Sequence, residues 1–136
     1  MTKAIPLIEK FMTTTPHSIG AEQSIGKAHQ MMKEFNIRHL PVLGDTQLTG
    51  IISDRDIKLA LSINGVDPEK TKVGEIANTE LFLVRPESKL DDVVRTMSEK
   101  KIGSVLVVDH HRLVGIFTTT DALKAFADLM EKRLSH

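Results

Sequence analysis

Gly50-Ile51-Ile52-Ser53-Asp54-Arg55-Asp56 returns as Gly115-Ile116-Phe117-Thr118-Thr119-Thr120-Asp121, an offset of 65 residues. Each copy reads as a glycine, a short apolar run, a hydroxyl residue, two variable positions and an aspartate. An apolar run that gives way to Ser/Thr-x-x-Asp predicts a strand feeding a helix, with the hydroxyl as its cap and the acid as the reciprocal partner.

The flanks of the two copies extend the match. Laid over 76–126, residues 11–61 need no gap and share eleven identities, among them Met32/Met97, Ile37/Ile102, Val42/Val107, Leu48/Leu113 and Asp56/Asp121. Ser24 to Phe35 reads as a helix with Ile25, Ala28, Met32 and Phe35 on one face. Leu90, Val93 and Met97 repeat that stripe in register, in a helix from Ser88, paired with Asp91 as its cap, to about Lys100. Strands are predicted at His17–Ile19, His39–Leu43, Leu48–Ser53, Leu81–Val84, Ser104–Val108 and Leu113–Thr118, with turns at Gly44-Asp45-Thr46 and Asp109-His110-His111. Helices follow at 54–63 and from about Thr119 to Leu134. Short lead-in pieces stand ahead of each copy, Leu7 to Met12 and Val73 to Ala77.

This pattern predicts an α/β (α+β) fold of two tandem repeats, residues 1–63 and 73–136, joined by a polar linker at 64–72. Each repeat is expected to hold a small three-stranded sheet and two helices. A unit of this size buries too little surface to stand comfortably alone, so the two should pack with pseudo-twofold symmetry and leave grooves between them.

Composition narrows the function. Eighteen basic and eighteen acidic residues give a formal net charge of zero, which argues against a general nucleic-acid or membrane-surface role. There is no cysteine, so disulfides, thiolate catalysis and cysteine-based metal sites are excluded. No apolar run approaches the roughly 20 residues of a membrane-spanning helix, and a cytoplasmic protein is expected. Among catalytic motifs there is no P-loop, G-x-G-x-x-G, G-x-S-x-G or H-E-x-x-H, and no spacing of His, Asp and Glu matches a metal site. His110 and His111 read as a solvated turn.

With Leu40-Pro41-Val42 in the second strand, Met12-Thr13 ahead of Pro16, and Gly-Ile-Ile-Ser-x-x-Asp at the last strand-to-helix junction, the chain resembles the CBS domain pair (Bateman module). The resemblance spans about residues 7–130. It implies a regulatory module, without catalysis or an obligatory cofactor, that binds adenosyl compounds such as AMP, ADP, ATP, S-adenosylmethionine or NAD between the repeats. It also implies a homodimer that reports to an unidentified enzyme or transporter.

Asp56 and Asp121 are the expected ribose ligands, because a carboxylate only accepts hydrogen bonds and its two oxygens match a vicinal diol. Ser53 and Thr118 would lie beside the sugar or phosphate. Ile19, Ile51, Val84 and Ile116 could sandwich the base, or simply be core. By the resemblance, the start of the second strand contributes contacts to base and phosphate: Arg38 and His39 in the first copy, Gly103 and Ser104 in the second. Arg55 has Thr120 as its counterpart. The cations Arg38, His39 and Arg55 all belong to the first repeat, so one site is expected to take a phosphorylated nucleotide and the other a less charged adenosyl group, or to stay empty. The last helix carries Leu123, Phe126, Ala127, Met130 and Leu134, with Leu129 beside them, read as part core and part dimer surface. The alternatives are a dimerisation or adaptor module with no nucleotide ligand, and an enzyme whose site carries no recognised motif.

Overall fold

A computed structural model describes residues 4–134. In chain order it contains a 3-10 turn at Ile8–Lys10, β1 (Thr13–Thr14), β2 (Ile19–Gly20), α1 (Ile25–Phe35), β3 (His39–Gly44), β4 (Gln47–Ser53), α2 (Asp54–Leu61), α3 (Val73–Ile76), β5 (Leu83–Val84), α4 (Leu90–Lys100), β6 (Ser104–Asp109), β7 (Arg112–Thr118) and α5 (Thr119–Leu134). The chain forms two compact units. One is continuous, Pro16–Leu81. The other combines the chain up to Thr15 with the chain from Phe82 onward.

The continuous unit carries a three-stranded sheet in the order β2-β3-β4, parallel at the first pairing and antiparallel at the second. Ser24 caps α1 by accepting the Lys27 N–H at 3.1 Å, and Asn36 ends it in the left-handed region. Between these stops Ile25, Ala28 and Met32 face inward and meet Leu40, Val42, Ile52 and Ile57. Phe35 departs from the expected stripe. It is exposed, and its ring stacks on His17 at 3.7 Å and 9°. At the last turn of the helix the apolar residue finds a neighbouring imidazole instead of the core.

The second unit repeats the arrangement in a four-stranded sheet, β1-β7-β6-β5. Leu90, Val93 and Met97 of α4 meet Val105, Val107 and Phe117. The bulge between Val42 and Leu43 recurs between Val107 and Val108. Both hairpins turn on two residues of positive φ, Asp45-Thr46 and His110-His111, whose twist suits a two-residue connection. The capping box expected at Ser88 and Asp91 does not form. Lys89 holds the N-cap position, without a side-chain cap, and Ser88 Oγ instead accepts the Arg85 N–H at 3.1 Å. Asp91 Oδ1 is buried with no hydrogen-bond partner. The duplication itself explains this, because the capping Ser24 corresponds to Lys89 at the same offset of 65 residues.

The lead-in pieces are exchanged between the repeats. Ile8 is fully buried in the core built by the second repeat. Val73, its counterpart 65 residues on, is fully buried in the core built by the first. The same backbone bonds hold both: Ile8 N–H to Ser88 O and Val73 N–H to Gln23 O, each 2.8 Å, and Leu90 N–H to Pro6 O and Ile25 N–H to Thr71 O, each 2.9 Å. The spatial units are thus staggered by one lead-in piece relative to the sequence repeats.

α5 turns Ala122, Ala125 and Leu129 toward the core of its unit. Leu123, Phe126 and Met130 stay exposed. Leu134's side chain lies outside the described residues.

Candidate functional site

The quoted motif acts first on backbone geometry. Gly50 leaves room for the returning lead-in piece: a Cβ built there would stand 3.0 Å from Asn78 O and 3.3 Å from the Ala77 Cβ. At Gly115 the same atom would stand 2.5 Å from Met12 Sδ. The close approach lets Ile51 exchange both backbone hydrogen bonds with Asn78, at 2.9 and 2.8 Å. In the other unit β1 pairs with β7 at Thr13–Ile116, the equivalent position.

The strand then becomes a helix at a built capping box. Ser53 Oγ accepts the Asp56 N–H at 3.1 Å, and Asp56 Oδ2 accepts the Ser53 N–H at 2.9 Å. In the second unit Asp121 Oδ2 accepts the Thr118 N–H at 2.9 Å, and the Thr118 hydroxyl lies 3.3 Å away. Both acids are half-buried. Each is held at the first turn of its helix, where the dipole favours negative charge.

Other predicted residues collect at the same ends of the sheets. His39 pairs in register with Ser53, and Ser104 with Thr118. The Arg38 carbonyl accepts the Asp54 N–H at 2.8 Å, and the Gly103 carbonyl accepts the Thr119 N–H at 3.0 Å. In the continuous unit this gathers Arg38, His39, Ser53 and Asp56. Burial holds the pKa of half-buried His39 below its ordinary 6.5; the Asp56 charge opposes that shift and Arg38 adds to it. The imidazole is therefore neutral at pH 7. Arg55 and Thr120 sit exposed in the first turns of α2 and α5. Asp54, the residue before Arg55, is held below the usual carboxylate range by its hydrogen bond with Lys58 at 2.9 Å.

The apolar candidates divide. Ile19 is 4% exposed and packed in the core of its unit. Ile51 and Ile116 alternate with Ile52 and Phe117 and so point to the opposite face of each sheet; Ile51 is half-buried there and Ile116 is buried. Val84 is half-buried against the core of the second unit.

One residue outside the sequence prediction joins the site. The Thr13 hydroxyl donates to Asp121 Oδ1 at 3.4 Å. Asn78, its counterpart, is turned away, with Oδ1 accepting the Glu80 N–H at 2.9 Å. The signal for both was the shared offset of the lead-in pieces. Among the described residues no group of three or more His, Asp or Glu side chains is placed to hold a metal ion, and no helix is long and apolar enough to cross a membrane.

Comparison with known proteins agrees with the geometry. The CBS domain model matches residues 8–63 and again 73–128. The chain is 34% identical over 104 residues to hypoxic response protein 1 of Mycobacterium tuberculosis, covering 76% of this chain and 73% of the relative. Its fold is similar to the CBS domain pair of protein MJ0100, solved in complex with 5′-methylthioadenosine and S-adenosyl-L-methionine (TM-score 0.84, 30% identity, 93% of this chain and 99% of that one). It is also similar to CBSX2 solved in complex with AMP (TM-score 0.76, 26% identity, 91% and 98%). Two motif-bearing units, matched twice by one family model, place the chain in the CBS domain family as two CBS domains in tandem.

Proposed function

We propose that this chain is a non-catalytic regulatory module that binds adenosyl compounds, with Asp56 and Asp121 as the ribose ligands. The observation that carries the reading is the pair of capped, half-buried carboxylates. Asp56 uses Oδ2 for its cap, and Oδ1 has no hydrogen-bond partner among the described residues. A carboxylate has about four acceptor positions, so the acid that fixes the helix start still has capacity for two hydroxyl donors. The complexes of MJ0100 and CBSX2 support the ligand class.

Arg38, His39 and Arg55 have the uncharged counterparts Gly103, Ser104 and Thr120. A guanidinium fork matches phosphate oxygens, so one site takes a phosphorylated nucleotide and the other a less charged adenosyl group. Ser53, Thr118 and Ser104 serve sugar and phosphate, while Ile51, Ile116 and Val84 offer apolar surface to the base. Ile19 contributes through the core beneath. The ligand favours one packing of a cytoplasmic homodimer, and a partner enzyme or transporter reads that preference. The competing reading, an adaptor without a nucleotide ligand, rests on the same capping boxes, which engage both acids unaided.

The chain has no Trp or Tyr, so a copurified adenine compound dominates the ultraviolet spectrum of a fresh preparation, and its mass identifies it. A panel of AMP, ADP, ATP, S-adenosylmethionine and NAD is expected to include at least one compound that raises Tm. A clean spectrum together with no shift from any of the five selects the adaptor.

A further inference from the structure

The last helix presents apolar surface that its own unit does not use. Phe126 is 65% exposed and Met130 42%, and Ile5 on the lead-in segment is 46% exposed. Together they floor a groove of about 320 Å³ between residues 4–6 and the C-terminal half of α5. Among the described residues, every ionised side chain lining that groove is cationic: Lys10, Lys132 and Arg133. The whole chain has zero formal charge, so this clustering is local and not a background excess.

Part of the charge has a structural answer. Lys132 pairs with Asp128 at 3.1 Å, and the Lys10 ammonium stands 5.6 Å from the Phe11 ring centre. Cations in the last turn of a helix also complement its dipole. None of these accounts for the exposed apolar floor between them.

The occupant follows from size and charge. A second copy meeting this groove about a twofold axis would bring the same three cations against each other. The volume lies near the lower end of the range of about 300–1,000 Å³ typical of small-molecule pockets, too small for the face of a protein helix. An apolar floor with a cationic rim fits a molecule with an apolar tail and an anionic head.

We propose that this groove binds a single-chain anionic amphiphile, a free alkyl carboxylate. Lys10 and Arg133 hold the head, and Ile5, Phe126 and Met130 cover the tail. The site lies wholly within the discontinuous unit and uses neither Asp56 nor Asp121, so it stands or falls apart from adenosyl binding.

Titration calorimetry of the full chain with dodecanoate, below its micelle concentration, tests the assignment. Saturable binding of one dodecanoate per chain is expected. Phe126→Asp and Arg133→Glu should each weaken it by about tenfold or more while circular dichroism stays unchanged. Dodecyltrimethylammonium, with the same tail and the opposite head, should bind at least about tenfold more weakly. Equal binding of the two amphiphiles overturns the proposal, as does dodecanoate affinity that both variants leave unchanged. Two further outcomes overturn it: cosedimentation with anionic phospholipid vesicles without a dodecanoate complex, and self-association through this face that leaves dodecanoate no site.

Discussion

Ile8 and Val73 occupy the same place in opposite cores. Each is fully buried, each donates its N–H to a carbonyl 2.8 Å away just ahead of a core helix, and each serves the unit built mainly by the other repeat. Ile8→Ala is expected to cost about 2–5 kcal/mol. Val73→Ala should cost less, since fewer buried atoms are removed. Native-state hydrogen exchange gives the specific readout. Ile8→Ala should loosen β6 and β7 ahead of β3 and β4, and Val73→Ala should do the reverse. Loosening of the wrong sheet in both variants contradicts the exchange.

The motif glycines should differ in their tolerance of alanine. At Gly50 the added methyl meets a backbone carbonyl, Asn78 O, at 3.0 Å. At Gly115 the first obstacle is the flexible Met12 side chain, which can swing away. Overpacking of this kind costs about 1–3 kcal/mol, and Gly50→Ala should lie toward the upper end and Gly115→Ala toward the lower. Chemical denaturation of both variants ranks them.

Lys101 ends α4 in the left-handed region at φ 56°, where the first repeat has Asn36 at φ 53°. A lysine carries a Cβ penalty there that glycine avoids. Lys101→Gly is expected to stabilise the protein by about 0.5–1 kcal/mol, net of the added chain entropy of glycine. A fall in Tm contradicts this.

His39 links stability to pH. Unfolded, it takes up a proton near its ordinary 6.5; folded, burial keeps it neutral to lower pH. Between those two values the unfolded chain binds more protons, so stability falls as pH is lowered. The contribution is fully present above about 6.5, is lost as pH falls toward the folded pKa, and changes no further below it. His39→Gln should flatten this part of a Tm-against-pH profile. An unchanged slope would mean that another group carries it.

Asp56 holds two roles that substitution can separate. Asp56→Asn retains an oxygen able to accept the Ser53 N–H, whereas Asp56→Ala keeps the Ser53 cap but loses the reciprocal bond, about 1 kcal/mol. Both remove a charged acceptor, so each should weaken adenosyl binding by roughly 10- to 100-fold at that site. Calorimetry beside thermal melting reads both effects, and full-strength binding by Asp56→Asn would remove Asp56 from the ribose.

The tandem architecture was legible because burial follows period. Ile25, Ala28 and Met32, and their counterparts Leu90, Val93 and Met97, could be assigned to cores from spacing alone. The strand-to-helix junctions at Ser53 and Thr118 carried their own capping signals. Phe35 was misread because its spacing fits the stripe, and spacing does not reveal that its ring stacks on His17 outside the core. Ser88 was misread because a local Ser-x-x-Asp outweighed the duplicated register that puts Lys89 at the cap. The partnership of Thr13 with Asp121 was hidden by a separation of 108 residues, since local pattern is silent about which core a lead-in piece joins.

The traded lead-ins have a mechanical corollary. Both ends of the described chain belong to one unit, and the other is a loop of that unit's polypeptide, leaving it at Thr15 and rejoining it at Phe82. A load applied at either terminus is borne first by the body that carries Asp121. The body that carries Asp56 holds neither end of the described chain, so an attachment at either end would be made through the unit that carries Asp121.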